Sequence, residues 1–294
     1  MARTVLGIIG GSGLYAMEGL VNPREERIAS PWGEPSDRLR LGTIDGVDVA
    51  FLARHGRGHT LSPSDINYRA NIDVFKRAGV TDVISVSACG SLREDLPPGM
   101  FVLVDQFIDR TYARENSFFG AGLVAHVSMA HPVCPKLVDA LEHAAREEAI
   151  AHRRGGIYLA IEGPQFSSLA ESRLYRSWGC DVIGMTNMPE AKLAREAELP
   201  YASVAMVTDF DCWRPDHDAV EVSAVIQVMQ DNARKAARLL RRVAPLLGPV
   251  RKPSPLGIER CLDGALITAP DGRDAALAAK LDAVAGRVLG VGRG

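Results

Sequence analysis

The chain has 294 residues, of which 47% are hydrophobic and 24% are charged, and its formal net charge is -2. This composition is typical of a globular protein with one large or two small domains. A net charge so near zero argues against a polyanionic partner, so we expect neither a nucleic acid nor an anionic membrane surface to bind the chain. No apolar stretch approaches the roughly 20 residues that a membrane-spanning helix requires.

Cysteine and histidine usage points to a reducing compartment without a bound metal. The five cysteines are scattered and form no C-x-x-C pair, and the seven histidines form no H-E-x-x-H pattern. Such spacing argues against a disulfide framework and against a zinc site. The first apolar run turns to glycine before any signal-type cleavage region, so we interpret it as a strand. We therefore expect a cytoplasmic protein with no metal.

Taken in chain order, apolar runs that suit strands alternate with amphipathic helical patterns. This alternation predicts an α/β fold with a mixed, mostly parallel central sheet flanked by helices. The predicted strands are Thr4–Ile9, Val47–Leu52, Val80–Val86, Phe101–Val104, Ile157–Glu162, Val182–Met185 and the run that begins at Tyr201. The predicted helices are Ser64–Ala78, Pro135–Glu148, Ser168–Trp178, Pro189–Glu198 and a long one from about Glu221 to Val243.

The C-terminal part has a different composition. Prolines and glycines become frequent in Pro245–Pro255, which indicates a linker. We therefore divide the chain into a main domain, residues 1–248, and a C-terminal extension, residues 249–294, that packs partly on the same domain or on a neighbouring subunit. The extension contains a predicted short strand, Ala265–Thr268, and a predicted alanine-rich helix, Arg273–Val288.

The strand that begins at Tyr201 ends in two carboxylates, Asp209 and Asp211. Ligands of open α/β sheets lie beyond the carboxyl ends of the strands, and burying a charge is costly unless the charge is paired or used. The two carboxylates are therefore candidates for contact with a polar ligand, although two solvated acids that cap a loop would give the same pattern.

Four other strands end in groups that can bind an oxyanion. These groups are Gly10-Gly11-Ser12-Gly13, Arg54-His55, Ser87-Ala88-Cys89-Gly90-Ser91 and Met185-Thr186. Backbone N–H groups of a glycine turn, hydroxyls and a guanidinium all donate hydrogen bonds to anions. Each segment alone also fits a tight turn, a solvated basic loop or an ordinary buried side chain. Together they predict a site with an oxyanion on one side and a neutral, proton-accepting group on the other.

Seven segments, in order, closely resemble the trimeric purine nucleoside phosphorylase superfamily and, within it, the methylthioadenosine phosphorylases. They are Gly10-Gly11-Ser12-Gly13, Arg54-His55-Gly56, Asn67-Tyr68-Arg69-Ala70-Asn71, Ala88-Cys89-Gly90-Ser91-Leu92, Asp105-Gln106-Phe107-Ile108-Asp109-Arg110-Thr111, Glu162-Gly163-Pro164-Gln165-Phe166 and Gly184-Met185-Thr186-Asn187-Met188-Pro189-Glu190. The resemblance implies the nucleoside phosphorylase fold, a homotrimer, and phosphorolysis of methylthioadenosine to adenine and 5-methylthioribose 1-phosphate. Inorganic phosphate is then a co-substrate, and no cofactor is required.

The resemblance also implies a role for particular residues. Phosphate would be held by Ser12, Arg54, His55, Ser87, Ala88 and Thr186. The nucleoside would be held by Met185 at the ribose, by Phe166, Ser167, Asp209 and Asp211 around the base, and by Val222 and a neighbouring subunit's His126 near the 5' group.

Asp209 is the candidate catalytic acid. Adenine leaves poorly as an anion, so its N7 must gain a proton as the ribosyl bond breaks. To donate near neutral pH, Asp209 needs a pKa well above the ordinary value of about 3.9, which a strand end poor in water can supply. The carboxylate also favours adenine, because relatives that prefer 6-oxopurines carry an asparagine near this position and, in many cases, a glutamate near Ser167.

The chain departs from the family pattern at three residues. Ser12 and Ser87 replace threonines, which keeps the hydroxyls. Thr268, beside Ile267, stands where the family has an aliphatic residue against the neighbour's methylthio group, which would leave room for 5'-deoxyadenosine or adenosine.

Three other functions remain open from the sequence. A phosphorylase of methylthioinosine or other 6-oxopurine nucleosides would use the same site with a different base. A nucleoside hydrolase is disfavoured because Arg54 and His55 would have no anion to hold. A purine-binding protein without activity is disfavoured because the acid and the phosphate positions are all present.

Overall fold

Helices cover both faces of one mixed sheet. The computed structural model describes residues 3–14, 19–214 and 222–290, with the backbone alone for residue 12 and residues 222–225. In these residues, 11 strands form a single sheet. The strands are β1 (Val5–Gly10), β2 (Val21–Glu26), β3 (Leu39–Ile44), β4 (Val47–Ala53), β5 (Asp82–Ser91), β6 (Phe101–Val104), β7 (Gln106–Arg110), β8 (His152–Arg154), β9 (Ile157–Ile161), β10 (Val182–Gly184) and β11 (Tyr201–Asp209). The helices are α1 (Tyr68–Arg77), α2 (Pro135–Glu147), α3 (Leu169–Ser177), α4 (Glu190–Glu196), α5 (Val222–Leu247), α6 (Ala275–Lys280) and α7 (Asp282–Leu289).

The sheet branches at its central strand. The main path runs β2-β3-β4-β1-β5-β10-β9-β7, while β11 also pairs with β5 and leads through β6 to β8. β1, β4, β5 and β11 are parallel, and β10 runs antiparallel to β5. The predicted mixed, mostly parallel sheet is therefore confirmed.

The two faces of the sheet carry separate hydrophobic clusters. One cluster packs α1, α4 and α7 against the sheet through side chains such as Phe75 and Leu193. The other packs α2 and α5 against the opposite face through side chains such as Leu137 and Leu239. All four of these side chains are fully buried, so the sheet is held rigidly from both sides. None of the described helices is long and apolar enough to cross a membrane.

Some elements differ from the sequence-based prediction. Strands β2, β3, β7 and β8 were not expected, and β2 and β7 lie at the two ends of the main path. Every residue of β2 is exposed, and an edge strand that is paired on one side and wet on both faces shows no apolar alternation. Its pairing with β3 specifies it instead.

The C-terminal extension also differs from the prediction. Ala265–Thr268 is not a strand: Leu266 makes one isolated bridge to Ala125, and the Thr268 hydroxyl accepts the Val124 N–H at 2.9 Å. The predicted helix Arg273–Val288 is two helices, α6 and α7, on either side of the buried Leu281. Arg77 of α1 donates to Asp282 at the start of α7 at 3.0 Å. The proposed boundary at residue 248 stays a prediction.

Candidate active site

Four parallel strands end at the same edge of the sheet. β1 pairs with β4 and β5, and β5 pairs with β11, all in parallel register. The backbone N–H of Arg54, just after β4, donates to the carbonyl of Gly10 at 2.9 Å, which ties the ends of β4 and β1 together. The segments after β1 and β4, the C-terminal half of β5 and the two carboxylates of β11 therefore converge at this edge.

A bulge in β11 aims Asp209 at the centre of this edge. The β11–β5 register is regular up to the Val207–Cys89 pair and then shifts, so that Asp209 lies opposite Gly90. Thr208 is the extra residue, and such bulges re-aim side chains next to active sites. A Cβ on Gly90 would lie 3.0 Å from Asp209 Oδ1. A residue larger than glycine at position 90 would therefore crowd the carboxylate.

The two carboxylates are joined by a local turn. Asp209 Oδ1 accepts the Asp211 N–H at 2.8 Å, the hydrogen bond of an Asx turn. Asp211 has a positive φ of 54°, a conformation that non-glycine residues rarely adopt and that concentrates at functional sites. Burial raises the pKa of both carboxyl groups above their ordinary value of 3.8. This is the direction that a catalytic acid requires.

Thr208 adds a contact that suits either protonation state of Asp209. Its hydroxyl lies 2.7 Å from Asp209 Oδ2 and 3.1 Å from the carbonyl of Cys89. A hydroxyl donates one hydrogen and accepts others. It can donate to an ionised Asp209, or accept from a protonated Asp209 while it donates to Cys89.

The groups expected around the base lie beside Asp211. Cys212 Sγ donates to the Ser167 carbonyl at 3.3 Å, which joins the segment after Glu162 to the end of β11. Ser172 of α3 faces the Asp211 carboxyl. Asp211 Oδ2, Ser167 Oγ and Ser172 Oγ are buried without a hydrogen-bond partner among the described residues. Phe166, by contrast, is 62% exposed.

The Arg54 guanidinium makes more hydrogen bonds within the protein than the sequence suggested. The guanidinium is buried and pairs with Glu190 at 2.9 Å through Nε. Nη2 donates to Ser85 Oγ at 2.6 Å, and Nη1 donates to the Val86 carbonyl at 3.0 Å. Burial opposes the charge, but Glu190 holds the pKa of Arg54 above its usual range. An Nη1 hydrogen is left for an anion, so Arg54 offers phosphate a single bond and not a two-pronged fork.

His55 is a neutral imidazole. Burial lowers its pKa to about 4, and its ring stacks on that of His59 with centroids 4.1 Å apart. Nδ1 lies 2.9 Å from the Leu61 carbonyl and must be the protonated nitrogen. Nε2 is then an acceptor, which suits a P–OH group of phosphate.

The remaining oxyanion groups meet where β5 and β10 diverge. Ser87 and Thr186 are buried, and Ser87 Oγ has no hydrogen-bond partner among the described residues. Ala88 is half-buried beside Ser87, and Met185 is half-buried beside Thr186. Arg114 Nη1 donates to the carbonyls of Met185 and Met188 at 2.8 and 2.7 Å, which fixes the backbone around Thr186. Ser87 and Gly90 are three positions apart on β5, about 10 Å along the strand, which leaves room for a pentose between phosphate and base.

Three expected residues are not seen in contact with this cluster in the described part of the chain. The side chains of Ser12 and Val222 lie outside the described residues, although the backbone places Ser12 directly after β1 and Val222 at the start of α5. His126 is exposed, and its N–H donates to the Ala265 carbonyl at 3.0 Å. No hydrogen bond, ion pair or ring contact of the described residues joins His126 to the strand ends.

The sequence pointed to no metal, and no group of His, Cys, Asp and Glu in the described residues could hold one.

The sequence reasoning missed Glu190, Arg114, Thr208, Ser172 and Tyr158 as parts of the site. Glu190 lies in a segment that carried the resemblance, so its position was a signal. Thr208 and Tyr158 lie inside apolar strands, where a lone hydroxyl is the signal, because a buried hydroxyl needs a partner.

Comparisons with known proteins identify the family of the chain. The family model described as the phosphorylase superfamily matches residues 5–245. A relative from Bradyrhizobium diazoefficiens, named S-methyl-5'-thioadenosine phosphorylase, is 65% identical over 98% of this chain and 99% of its own length. A crystal structure of a methylthioadenosine phosphorylase from an antarctic soil metagenomic library has a TM-score of 0.90 and 47% identity, and covers 97% of this chain and 99% of that one. The Schistosoma mansoni methylthioadenosine phosphorylase in complex with adenine has a TM-score of 0.80 and 37% identity, and covers 83% of this chain and 92% of that one.

The fold, the converging strand ends and the match over most of the length define an enzyme class: the chain belongs to the phosphorylase superfamily. Within that superfamily its similarity is to proteins named S-methyl-5'-thioadenosine phosphorylase.

Proposed function

We propose that the protein catalyses the phosphorolysis of S-methyl-5'-thioadenosine to adenine and 5-methylthio-alpha-D-ribose 1-phosphate, a reaction of purine and methionine salvage. One observation carries the proposal: the unpartnered hydroxyl of Ser87 and the neutral imidazole of His55 lie on the same sheet edge as two carboxyls with raised pKa values. No cofactor is needed, because inorganic phosphate is the second substrate.

The base side supplies the proton. As the bond between C1' and N9 breaks, electrons move into the purine, and Asp209 gives its proton to N7. Such general acid catalysis contributes roughly 10²–10⁴ in rate. Water or product phosphate must return the proton to Asp209 before the next turnover.

The phosphate side supplies the nucleophile. Ser87, Thr186, His55 and an Nη1 hydrogen of Arg54 orient phosphate so that one oxygen attacks C1' as N9 departs. The cleaved sugar carries oxocarbenium character, which the adjacent phosphate anion stabilises electrostatically. Because His55 is neutral, Nε2 accepts a hydrogen from phosphate and orients the remaining oxygens toward the sugar.

Adenine is the base that matches the polar edge. Adenine presents an acceptor at N7 and a donor at its 6-amino group. A protonated Asp209 complements N7, and Asp211 Oδ2, which is unpartnered among the described residues, complements the amino group. A 6-oxopurine would place a second acceptor against Asp211, and such mismatched polar edges cost orders of magnitude in kcat/KM.

The decisive experiment measures adenine release from S-methyl-5'-thioadenosine with and without phosphate. We expect release to depend on phosphate and to yield one sugar phosphate per adenine. Equal rates without phosphate would identify a nucleoside hydrolase instead. The same assay with S-methyl-5'-thioinosine tests the other alternative, and we expect hypoxanthine release to be slower by orders of magnitude.

We further propose that the enzyme is a cytoplasmic homotrimer. Large exposed side chains border β7, the last strand of the main path: Tyr112 is 85% exposed, Phe166 62% and Trp178 41%. Exposed aromatic side chains at the edge of a sheet suit an interface, and a second copy of the chain is its proposed occupant. Light scattering should give three times the chain mass of 31.6 kDa. A monomer at micromolar concentration would contradict the proposal.

A further inference from the structure

The most unusual side chain near the site is Tyr158 on β9. It is fully buried, and its hydroxyl faces those of Thr186 and Ser87. Neither the Tyr158 hydroxyl nor Ser87 Oγ completes a hydrogen bond with a described residue. Two neighbouring hydroxyls are thus buried close to each other, without a complete hydrogen bond, at the position where phosphate is expected.

Gly184 makes room for this hydroxyl. A Cβ on Gly184 would lie 1.9 Å from the Tyr158 hydroxyl oxygen, so no larger residue fits at position 184 with Tyr158 in place. Gly184 ends β10 directly before Met185 and Thr186. The backbone of the phosphate segment and the phenol therefore pack against each other without an intervening side chain.

An apolar side chain at position 158 would make the fold more stable than tyrosine does. A buried hydroxyl without a complete hydrogen bond destabilises the fold, and phenylalanine would fill nearly the same volume without that effect. An unsatisfied polar group in a folded protein requires an explanation such as a catalytic role or a bound group. Phosphate at this edge supplies one.

We propose that the Tyr158 hydroxyl is a positioning group for the phosphate site, donating its hydrogen to Thr186 or Ser87 when phosphate is bound. The phenol has one hydrogen, so whichever of the two side chains accepts it is left to direct its own hydrogen at phosphate. The inference rests on the proposed phosphorolysis and names a hydroxyl that orients the side chains of its anion site. The phenol stays protonated throughout, because burial raises the pKa of Tyr158 to about 12.

The test is Tyr158→Phe, with Tyr201→Phe as the matched variant. Tyr201 is equally buried, but its hydroxyl donates to Glu190 at 2.9 Å. We expect Tyr158→Phe to keep or raise the melting temperature without phosphate, and Tyr201→Phe to lower it. We expect the KM for phosphate of Tyr158→Phe to rise about tenfold, the effect of losing one hydrogen bond in an anion site, while the KM for the nucleoside stays within twofold.

Phosphate binding can also be measured without turnover. A ligand raises the melting temperature in proportion to its binding free energy, so the shift caused by phosphate alone should shrink in Tyr158→Phe. A phosphate KM within twofold of wild type, an equal rise in both KM values, or a loss of stability as large as that of Tyr201→Phe would each overturn the inference. Phosphate-independent adenine release by the wild-type enzyme would instead refute the proposed phosphorolysis.

Discussion

At the scale of single residues, the burial of Asp209 matters because it raises the pKa of the carboxyl group that we propose as the catalytic acid. Asn at this position keeps the shape and the Asx turn to Asp211 but has no acidic proton. We expect Asp209→Asn to lower kcat/KM for S-methyl-5'-thioadenosine by at least about 100-fold, the usual worth of a general acid. Steady-state adenine release checks this, and circular dichroism should show an unchanged fold.

Asp45→Asn is the matched control for this substitution. Asp45 is exposed in the turn between β3 and β4 and has a positive φ of 47°, which asparagine tolerates well. Its activity should equal that of the wild type. If Asp209→Asn also kept its activity, another group would have to protonate N7.

The raised pKa of Asp209 also has a consequence for stability. The folded state binds this proton more tightly than the unfolded chain, so ionisation of Asp209 weakens the fold progressively as the pH rises from 3.8 through the raised value. Asp209→Asn removes this cost. We expect the variant to melt above the wild type at pH 8 and to lose that advantage at pH 4, as followed by calorimetry. An advantage that did not change with pH would contradict the sign of the shift.

His55 has the opposite pH dependence. Its pKa falls from 6.5 to about 4 on folding, so its stabilising effect is complete above 6.5 and is lost as the pH falls through that range. The loss between pH 7 and pH 5 should be about 2 kcal/mol. Urea unfolding measures this loss. The free energy of unfolding of the wild type, relative to that of His55→Asn, should be lower by this amount at pH 5 than at pH 7. His143→Asn, at an exposed histidine, should behave as the wild type at both pH values.

The sequence indicated which types of residue form the proposed site, but not whether their hydrogen-bonding groups are free to bind a ligand. The acids at the end of β11 and the donors after β1, β4 and β10 and in the second half of β5 were all predicted, because apolar runs and polar residue types are visible in one dimension. The pattern could not show that Arg54 spends most of its hydrogen bonds on Glu190, Ser85 and Val86. Those partners come from two elements far apart in the chain, β5 and α4, and only the packed fold brings them together.

At the scale of elements, α4 is anchored to the sheet through the buried pair of Glu190 and Arg54. Breaking a buried ion pair leaves an uncompensated charge and typically costs about 3–5 kcal/mol. We expect Glu190→Gln to lower the unfolding free energy by this amount and to raise the KM for phosphate, because Arg54 loses its orientation. Chemical denaturation and phosphate titrations measure the two effects.

The matched control is Glu34→Gln. Glu34 pairs with Arg27 at the same 2.9 Å, but both side chains are more than half exposed, and such pairs are worth little. Its stability and its KM should not change measurably. Equal effects of the two substitutions would show that α4 is held by apolar packing alone.

Strands were predictable from the sequence where their side chains are buried. They were not predictable where only backbone pairing with a neighbouring strand defines them. β1, β4, β5 and β11 are nearly continuous buried runs, and their apolar character fixed them in advance. β7 and β8 carry charged and half-buried residues, so no periodicity distinguished them from loops. The bulge at Thr208 depends on the register between β11 and β5, which has no signature in the sequence.

At the scale of the whole molecule, we expect part of the proposed site to come from a neighbouring subunit. Asp209, Asp211 and Ser167 form its proposed base side, while His126 is exposed on a segment beside the C-terminal extension. Ile267, in that extension, is 61% exposed, and its N–H donates to the Val124 carbonyl at 2.9 Å. His126 and Ile267 therefore present one surface, which a neighbouring subunit would use to close its own 5' pocket.

Mixed oligomers test this arrangement. In a trimer whose sites combine Asp209 of one subunit with His126 of the next, Asp209→Asn and His126→Ala damage different partners of the same site. Each variant alone should release adenine slowly, the first through kcat and the second through the KM for the nucleoside. Co-expression of the two should restore about a quarter of the wild-type sites, because random mixing pairs an intact Asp209 with an intact neighbouring His126 at that frequency. Affinity tags on the two chains allow mixed trimers to be isolated and assayed. Activity no higher than the mean of the two single variants would show that each chain builds its site alone.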